Sequence, residues 1–389
     1  MTIALVKYRD ALYALLRGDA RTLSAKELSQ TISFARISLI VGLVFLHYET
    51  YPNLAASPFR GLDVAQHQVA TFVNSFVLFF FFSVVPLLSM VSGWLFFSFA
   101  PADATGALGH RMRRRFFSLY LPLVFWNTLF LAILAWLFVH APGHPLLDEL
   151  NIRFESAGPM DYVNAIFGIT EHPLGFQFWF VRDLFVTGLV SPLLWLLLRR
   201  AAYLGLLALG LAWLAGNDLV IFFRSDVVFF FYVGGLLRLR GAPLEIGRQA
   251  TLVLVAAYVI LVAARTLAPY YVDVIDPPPL LAAATRAMRL VGVLACWGVF
   301  LQLAPTRFGA VVARYGGLAF FLHAAHYPLI AEVKILLWHL LPAETDGWMV
   351  AHYAASVAVT VAIGVGAGVL LARTAPNWFA LLNGGRIVG

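Results

Sequence analysis

An apolar segment of membrane length near the N-terminus carries an arginine close to its start and a histidine close to its end. The segment is residues 34–49, and the two side chains are Arg36 and His47. At about 100° per residue, a helix brings them to within roughly 20° of one face and about 16 Å apart along its axis. An ionisable side chain inside a bilayer costs about 3 kcal/mol or more, so both residues are candidates for a functional site.

The composition of the whole chain indicates a protein with several membrane crossings. Of 389 residues, 61% are hydrophobic and only 12% are charged, and the mean hydropathy is +0.83. A water-soluble domain of this size is far more polar. The single cysteine, Cys296, lies in an apolar stretch, so we expect neither a disulfide framework nor a metal site.

Apolar stretches of about twenty residues predict an all-α integral membrane protein with about ten transmembrane helices and no separate soluble domain. A capping-box pattern at Ser24 and Glu27 predicts where the first helix starts. We expect an amphipathic lead-in over residues 1–31, one membrane domain over 32–373 and a tail over 374–389. The predicted spans are residues 32–48, 70–99, 116–139, 176–198, 202–216, 219–237, 250–268, 284–303, 314–338 and 348–372.

Charged residues are distributed unequally between the two sets of predicted loops. The loops on the side of the N-terminus carry most of the arginines, including the run at residues 111–115, whereas the opposite loops carry mainly acids. By the positive-inside rule, both termini are predicted to be cytoplasmic. The net charge of +7 therefore reflects topology, and it argues against a nucleic-acid partner.

Polar residues inside the predicted spans form two groups. One group is expected in the outer half of the membrane, where it would line a cavity open to the outside. The other, on the cytoplasmic side, combines Arg36 with a basic loop. The outer group is His47, Arg182, Asp183, Arg224, Asp226, Arg289, His323 and His326, and the basic loop carries Arg113, Arg114 and Arg115.

Structural roles for these residues remain open alternatives. Arg182 with Asp183, and Arg224 with Asp226, could be ion pairs that join helices. His323 could simply bind a neighbouring helix through a hydrogen bond.

The order of several motifs resembles the acyltransferase-3 family of membrane acyltransferases over nearly the whole chain. Arg36 is followed by ten residues and His47, as in the family's first span. The chain differs in having Ser118 where many members carry a second arginine, and His323 where an aromatic residue is common. The other similar segments are residues 84–97, which contain Ser92 and Gly93, and residues 113–127, 178–192, 314–329 and 375–386.

The resemblance implies transfer of an acyl group, usually acetyl, from cytoplasmic acyl-CoA to a hydroxyl of a glycan or lipid-linked sugar on the outer side of a bacterial inner membrane. It implies donor binding near Arg36, Ser92 and the basic run, for which Arg113, Arg114 and Arg115 are candidate phosphate partners.

The residue chemistry agrees with such a reaction. A histidine such as His47 can act as general base for a sugar hydroxyl. Glu49 is only two residues away, so on a regular helix it would point elsewhere, and we expect Asp183 to orient His47. Arg182 and Arg224 are candidates to stabilise a tetrahedral intermediate. We expect Glu49, Arg224 and His326 on the acceptor side.

Two other functions fit the same pattern. A transporter or flippase for a glycan intermediate would use the outer cavity to hold cargo without chemistry. A non-catalytic receptor or assembly subunit would need no cytoplasmic nucleotide. Release of free CoA in the presence of an acceptor would distinguish an enzyme from both.

Overall fold

The fold is built from helices packed around buried polar and aromatic side chains. The computed structural model describes residues 11, 13–144, 146–149 and 151–386, and no strand occurs among them. The helices are α1 (Ala25–Leu46), α2 (Gln68–Phe81), α3 (Val84–Phe96), α4 (Ala104–Arg115), α5 (Leu121–His140), α6 (Leu146–Glu149), α7 (Pro159–Phe167), α8 (Phe178–Leu189), α9 (Ser191–Arg200), α10 (Ala202–Ala215), α11 (Ser225–Leu239), α12 (Arg248–Thr266), α13 (Pro279–Leu303), α14 (Arg307–Ala313), α15 (Ala319–Leu340), α16 (Asp346–Thr374) and α17 (Pro376–Leu382).

Seven helical stretches among the described residues are long and apolar enough to cross a membrane, and the bent pair α8 and α9 can supply an eighth. α10 and α11 have 14 and 15 residues, which is short for about 30 Å of hydrocarbon. The all-helical membrane fold is thus confirmed, whereas the count of ten crossings stays a prediction. The seven are Ala25–Leu46, Gln68–Phe96, Pro101–His140, Arg248–Thr266, Pro279–Leu303, Arg307–Leu340 and Asp346–Thr374.

The first helix begins where the capping pattern predicts. The Ser24 side chain accepts a hydrogen bond from the Glu27 backbone N–H, and the Glu27 carboxylate accepts one from the Ser24 N–H. These reciprocal bonds satisfy two donors that a helix start leaves open. The capping box is confirmed, and α1 continues from it through Arg36 to Leu46.

The lead-in predicted over residues 1–31 is described only in part, and Lys7 and Leu12 lie outside the described residues. Residues 13–17 are helical. The carbonyl of Leu16 accepts a hydrogen bond from the N–H of Gly247 at 2.8 Å. The Leu23 N–H donates to the Glu245 carboxylate at 3.0 Å. These bonds tie the segment before α1 to the loop before α12.

Two glycines allow α3 and α11 to cross in close contact. A methyl group added to Gly93 would lie 1.9 Å from the carbonyl oxygen of Phe231, and one added to Gly234 would lie 2.0 Å from that of Met90. Backbones can approach this closely only where side chains are absent. The crossing brings the backbone of Gly93, next to Ser92, against that of Phe231 on α11.

The predicted span over residues 176–198 is bent rather than straight. α8 and α9 meet at Val190 with an angle of 60°. Pro192 explains the break, because its ring has no N–H and collides with the carbonyl of Gly188 four residues earlier. The bend leaves Arg182 and Asp183 on the half that precedes it.

The predicted span over residues 219–237 also differs, since α11 begins only at Ser225. The preceding residues form an irregular loop in which Leu219 and Val220 have positive φ values of 54° and 64°. The N–H groups of Phe223 and Arg224 donate to the buried carboxylate of Asp183. These two backbone N–H groups are satisfied by a carboxylate, so they do not need the hydrogen bonds that a longer helix would provide.

Candidate functional site

His47 lies just beyond the end of α1 rather than within the helix. It is the C-terminal cap, and its N–H donates to the carbonyl of Leu43 at 3.1 Å. Lys334 on α15 donates to the carbonyls of Tyr48 and Thr50, at 3.3 and 3.4 Å, and so holds the segment that follows. Glu49 has a positive φ of 58°. The chain has therefore left the helix, and the expectation that helical geometry turns Glu49 away from His47 is corrected: both line one cavity.

The ring of His47 is bonded to the ring of His326 on α15. Nδ1 of His47 and Nε2 of His326 lie 2.7 Å apart. Nδ1 of His326 lies 2.7 Å from the carbonyl oxygen of His323 and 3.2 Å from that of Leu322. Carbonyls only accept, so Nδ1 of His326 carries the hydrogen, and its Nε2 accepts from Nδ1 of His47. In neutral His47, Nε2 therefore keeps its lone pair, as a general base requires.

This geometry corrects the expectation that Asp183 orients His47. The Asp183 carboxylate is fully buried and accepts bonds from Arg182 at 2.9 Å and from the backbone N–H groups of Phe223 and Arg224 at 3.0 and 2.8 Å. Its acceptor sites are therefore used within the α8 and α11 region. His326, expected on the acceptor side, takes the position beside His47.

Arg182 is also committed to structural contacts. Its guanidinium donates to the carbonyls of Gly168 at 3.0 Å and Ile169 at 2.9 Å, and also to that of Ile221. Together with the bond to Asp183, these contacts use all parts of the planar group. The structure thus places Arg182 as the support of two loops, and its expected role at a tetrahedral intermediate stays a prediction.

Gln177 explains how α15 can carry His323 and His326 next to a proline. Pro328 has no N–H, so the carbonyl of Ala324 four residues earlier loses its helical donor, and Tyr327 has non-helical backbone angles. The buried amide of Gln177 donates to the carbonyls of Ala324 and Tyr327, both at 2.8 Å. One side chain from the start of α8 thereby supports the irregular turn.

The cavity at His47, here called the histidine cavity, has a volume of about 270 Å³. Aromatic side chains such as Phe176 and Trp179 form much of its wall, so the polar groups face a largely apolar space. Its ionisable lining residues are His47, Glu49, His172, Arg224, Asp226 and His323.

Asp226 joins two arginines at the wall of the histidine cavity. Its Oδ2 lies 3.1 Å from Arg224 and 3.0 Å from Arg289. Arg289 is buried, whereas the side chain of Arg224 is 44% exposed and lies over the ring of Trp179 at 5.0 Å. Arg224 is thus held from one side and open on the other. Of the two arginines predicted near His47, Arg224 lines its cavity.

A second and larger cavity, here called the basic cavity, has a volume of about 1080 Å³. Arg36 and Arg114 have neither an acceptor nor an acidic partner among the residues that the structure describes. Burial, with the nearby charges of Arg36 and Arg114, lowers the pKa of Arg386 to about 10. Like charges this close are costly without an anion. The basic lining residues are Arg36, His110, Arg113, Arg114 and Arg386.

Arg115 and Ser92 differ from the other predicted donor-side residues. The guanidinium of Arg115 is buried between the rings of Phe96 and Phe231, at 4.6 and 4.8 Å. It donates to Ser92 Oγ and to the carbonyl of Leu184, both at 2.6 Å. The charge of Arg115 therefore joins α3, α4 and α8 at the wall of a further cavity, and its expected phosphate contact stays a prediction.

A third cavity of about 670 Å³, here called the connecting cavity, lies between the other two. It shares Arg36, His110, Arg114, Ser118 and Arg386 with the basic cavity. It shares Phe180 and His323 with the histidine cavity. The three spaces therefore form a series from Arg36 to His47.

Arg386, Gln177 and His172 take part in this arrangement although the sequence did not predict them as site residues. Arg386 comes from the end of the chain, and it is fixed by bonds to the carbonyls of Ser118 and Asn383 at 3.1 and 2.9 Å. Gln177 and His172 are single polar residues in aromatic surroundings. Their only sequence signal is a polar residue next to apolar segments, which is common in loops.

Comparison with known proteins adds a family and one relative. Residues 30–371 match the family described as "Acyltransferase domain". The chain is 28% identical over 359 residues, or 92% of each chain, to the succinoglycan biosynthesis protein ExoH of Rhizobium meliloti (strain 1021). No solved structure matches the chain.

Proposed function

Because the chain belongs to the acyltransferase-3 family, we propose that it transfers an acyl group, acetyl in the simplest case, from cytoplasmic acyl-CoA to a hydroxyl of a polysaccharide or lipid-linked sugar on the outer side of a bacterial inner membrane. The name of the relative ExoH, a succinoglycan biosynthesis protein, supports a polysaccharide acceptor. One observation carries the proposal: α1 holds an arginine in the basic cavity, with no acidic partner among the described residues, and ends at a histidine in another cavity of the same series.

The basic cavity suits the nucleotide end of the donor. A CoA thioester carries several phosphate charges, and Arg36, Arg114 and Arg386 are three guanidinium groups in proximity without an acidic partner among the described residues. Guanidinium groups bind phosphate through paired N–H donors. The thin arm of the donor would pass through the connecting cavity, so that the thioester reaches His47.

The histidine cavity suits the chemical step. Nε2 of His47 removes the proton of the acceptor hydroxyl, whose oxygen attacks the thioester carbonyl carbon. A C–O bond forms, the C–S bond breaks, and the thiolate leaves with the proton that His47 carries. The Nδ1–H bond to His326 holds the ring in the required tautomer. Arg224, partly open toward the same cavity, can stabilise the oxyanion or hold the acceptor.

The proposed orientation places the basic cavity at the cytoplasm, with both chain ends on that side and ten crossings. The loop charges support it, as does the position of Arg386 at the end of the chain in the same cavity as Arg36. The histidine cavity then lies nearer the outer side, where a glycan acceptor would enter.

The test uses purified protein in detergent with acyl-labelled acetyl-CoA or succinyl-CoA and fragments of an acidic exopolysaccharide. We expect acceptor-dependent release of free thiol and label in the polysaccharide. His47→Ala should abolish both, whereas Arg200→Ala, at an exposed position outside the three cavities, should not. Full transfer by correctly folded His47→Ala protein would rule out the mechanism, and the absence of thiol release with every acceptor would favour a transporter.

A further inference from the structure

His323 lies where the connecting cavity meets the histidine cavity. Within the described part of the chain, His323 and Phe180 are the two residues that line both spaces. Any extended ligand that runs from the basic cavity to His47 through this series must therefore pass these two rings.

The environment of His323 is apolar and leaves its ring nitrogens without normal hydrogen bonds. The residue is 2% exposed, and the rings of Phe178 and Phe180 contact it edge-on at centroid distances of 6.0 and 6.1 Å. Neither nitrogen has a partner of normal geometry among the described residues. The backbone carbonyl of Gln177 lies nearby, but outside that geometry.

The neighbouring histidine cannot satisfy these nitrogens. The ring centroids of His323 and His326 lie 5.6 Å apart. Both nitrogens of His326 are already used, one by His47 and the other by backbone carbonyls. A buried polar group without a partner destabilises a protein, whereas phenylalanine would fill the same space without that cost. A ligand that supplies the missing partners explains why a histidine is tolerated here.

We propose that His323 binds an amide group in the arm of the acyl donor as the arm passes between the two cavities. The inference rests on the proposed function. A secondary amide offers one N–H donor and one carbonyl acceptor, and a neutral imidazole offers one of each in return. The pantetheine arm of CoA contains two such amides joined by methylene groups, and the phenylalanine rings beside His323 suit the methylenes. His323 therefore selects an amide-containing arm over a hydrocarbon chain.

The experiment compares wild-type protein with His323→Phe and His323→Gln on three thioesters. The donors are acyl-CoA, acyl-pantetheine, which keeps both amides without the nucleotide, and an acyl thioester of 2-mercaptoethanol, which has none. For His323→Phe we expect kcat/KM to fall about 5- to 30-fold with the first two donors and to stay unchanged with the third. His323→Gln, which keeps a donor and an acceptor, should recover part of the loss.

Thermal unfolding in the absence of donor separates binding from stability. The Phe variant should unfold at the wild-type temperature or above it, because it removes two unsatisfied nitrogens. Equal losses with all three donors, or no loss with acyl-CoA, would overturn the assignment of His323 while leaving the proposed function intact. Wild-type protein that transfers from none of the donors would overturn the proposed function, and this inference with it.

Discussion

His326 holds His47 through a ring-to-ring hydrogen bond of 2.7 Å, and its own second nitrogen is tied to the carbonyl of His323 at 2.7 Å. The backbone of α15 thus determines which nitrogen of His47 carries a hydrogen. This control of the tautomer requires α1 and α15 to bring His47 and His326 to the same level of the fold.

Replacing His326 by leucine should impair the chemical step. The variant keeps the side-chain volume but no longer holds the His47 tautomer, so kcat should fall about 10²- to 10⁴-fold with little change in donor KM. Steady-state kinetics with acyl-CoA measure both. His339→Leu, at an exposed position on the same helix, is the matched control and should behave as wild type. An unchanged kcat for His326→Leu would contradict the role of His326 in fixing the tautomer of His47.

Replacing Arg36 by glutamine should weaken donor binding. Loss of one charge-assisted contact to phosphate should raise the KM for acyl-CoA about 10- to 100-fold. Acyl-pantetheine lacks the nucleotide, so its KM should not change. Arg200→Gln removes an exposed arginine outside the cavities and should leave both constants unaltered. Equal effects on the KM of both donors would show that Arg36 does not act by binding the nucleotide.

Replacing Asp183 by asparagine should destabilise the fold more than it changes substrate binding. The variant leaves Arg182 buried without its carboxylate, which typically costs about 3–5 kcal/mol. Chemical unfolding in detergent would measure the loss. Arg224→Gln is the contrasting variant: its side chain is 44% exposed, so stability should change by less than about 1 kcal/mol while kcat/KM falls. An Asp183→Asn protein with wild-type stability and a reduced kcat would instead show that Asp183 takes part in the chemical step.

Replacing Gln177 by glutamate should disturb α15. A carboxylate cannot donate, so the carbonyls of Ala324 and Tyr327 lose their partner, at a cost of about 1–3 kcal/mol each. We expect lower thermal stability and a lower kcat, because the same turn carries His326. If Gln177→Glu unfolds and turns over as wild type does, the amide does not support the turn.

His172 should make the protein sensitive to acid. Burial, and then the charges of Arg182 and Arg224, lower its pKa below the ordinary value of 6.5. As the pH falls below that value, the unfolded chain binds a proton that the folded state disfavours, so stability decreases. His172→Gln lacks this contribution. As the pH falls from 7 to 5, its melting temperature should therefore decrease less than that of the wild-type protein. A constant difference across this range would contradict the assignment.

Much of the fold could be predicted because it depends on local pattern. The capping residues Ser24 and Glu27 determine where α1 starts, and continuous apolar sequence determines most spans. The start of α11 could not be predicted in this way. It depends on Asp183, which binds backbone donors about forty residues further along the chain.

The order of Arg36 and His47 along one helix followed from the sequence, but the rotation and tilt of the helices around them did not. Arg36 and His47 were expected at opposite ends of one helix, and they line cavities at opposite ends of one series. Which group meets the ring of His47 depends on how α15 packs against α1, and spacing within one segment contains no such information. Arg386 reaches the basic cavity only because the chain end folds back onto Ser118.

The junction at Phe180 and His323 also bears on the electrical properties of the membrane. Two polar cavities that approach each other from opposite faces of a bilayer would conduct ions if they merged. Here the two cavities meet at the ring of Phe180 and the neutral imidazole of His323, and constrictions lined by uncharged, largely apolar rings disfavour hydrated ions. In the proposed function, this junction would let donor and acceptor meet across the hydrocarbon while the membrane remains an insulator.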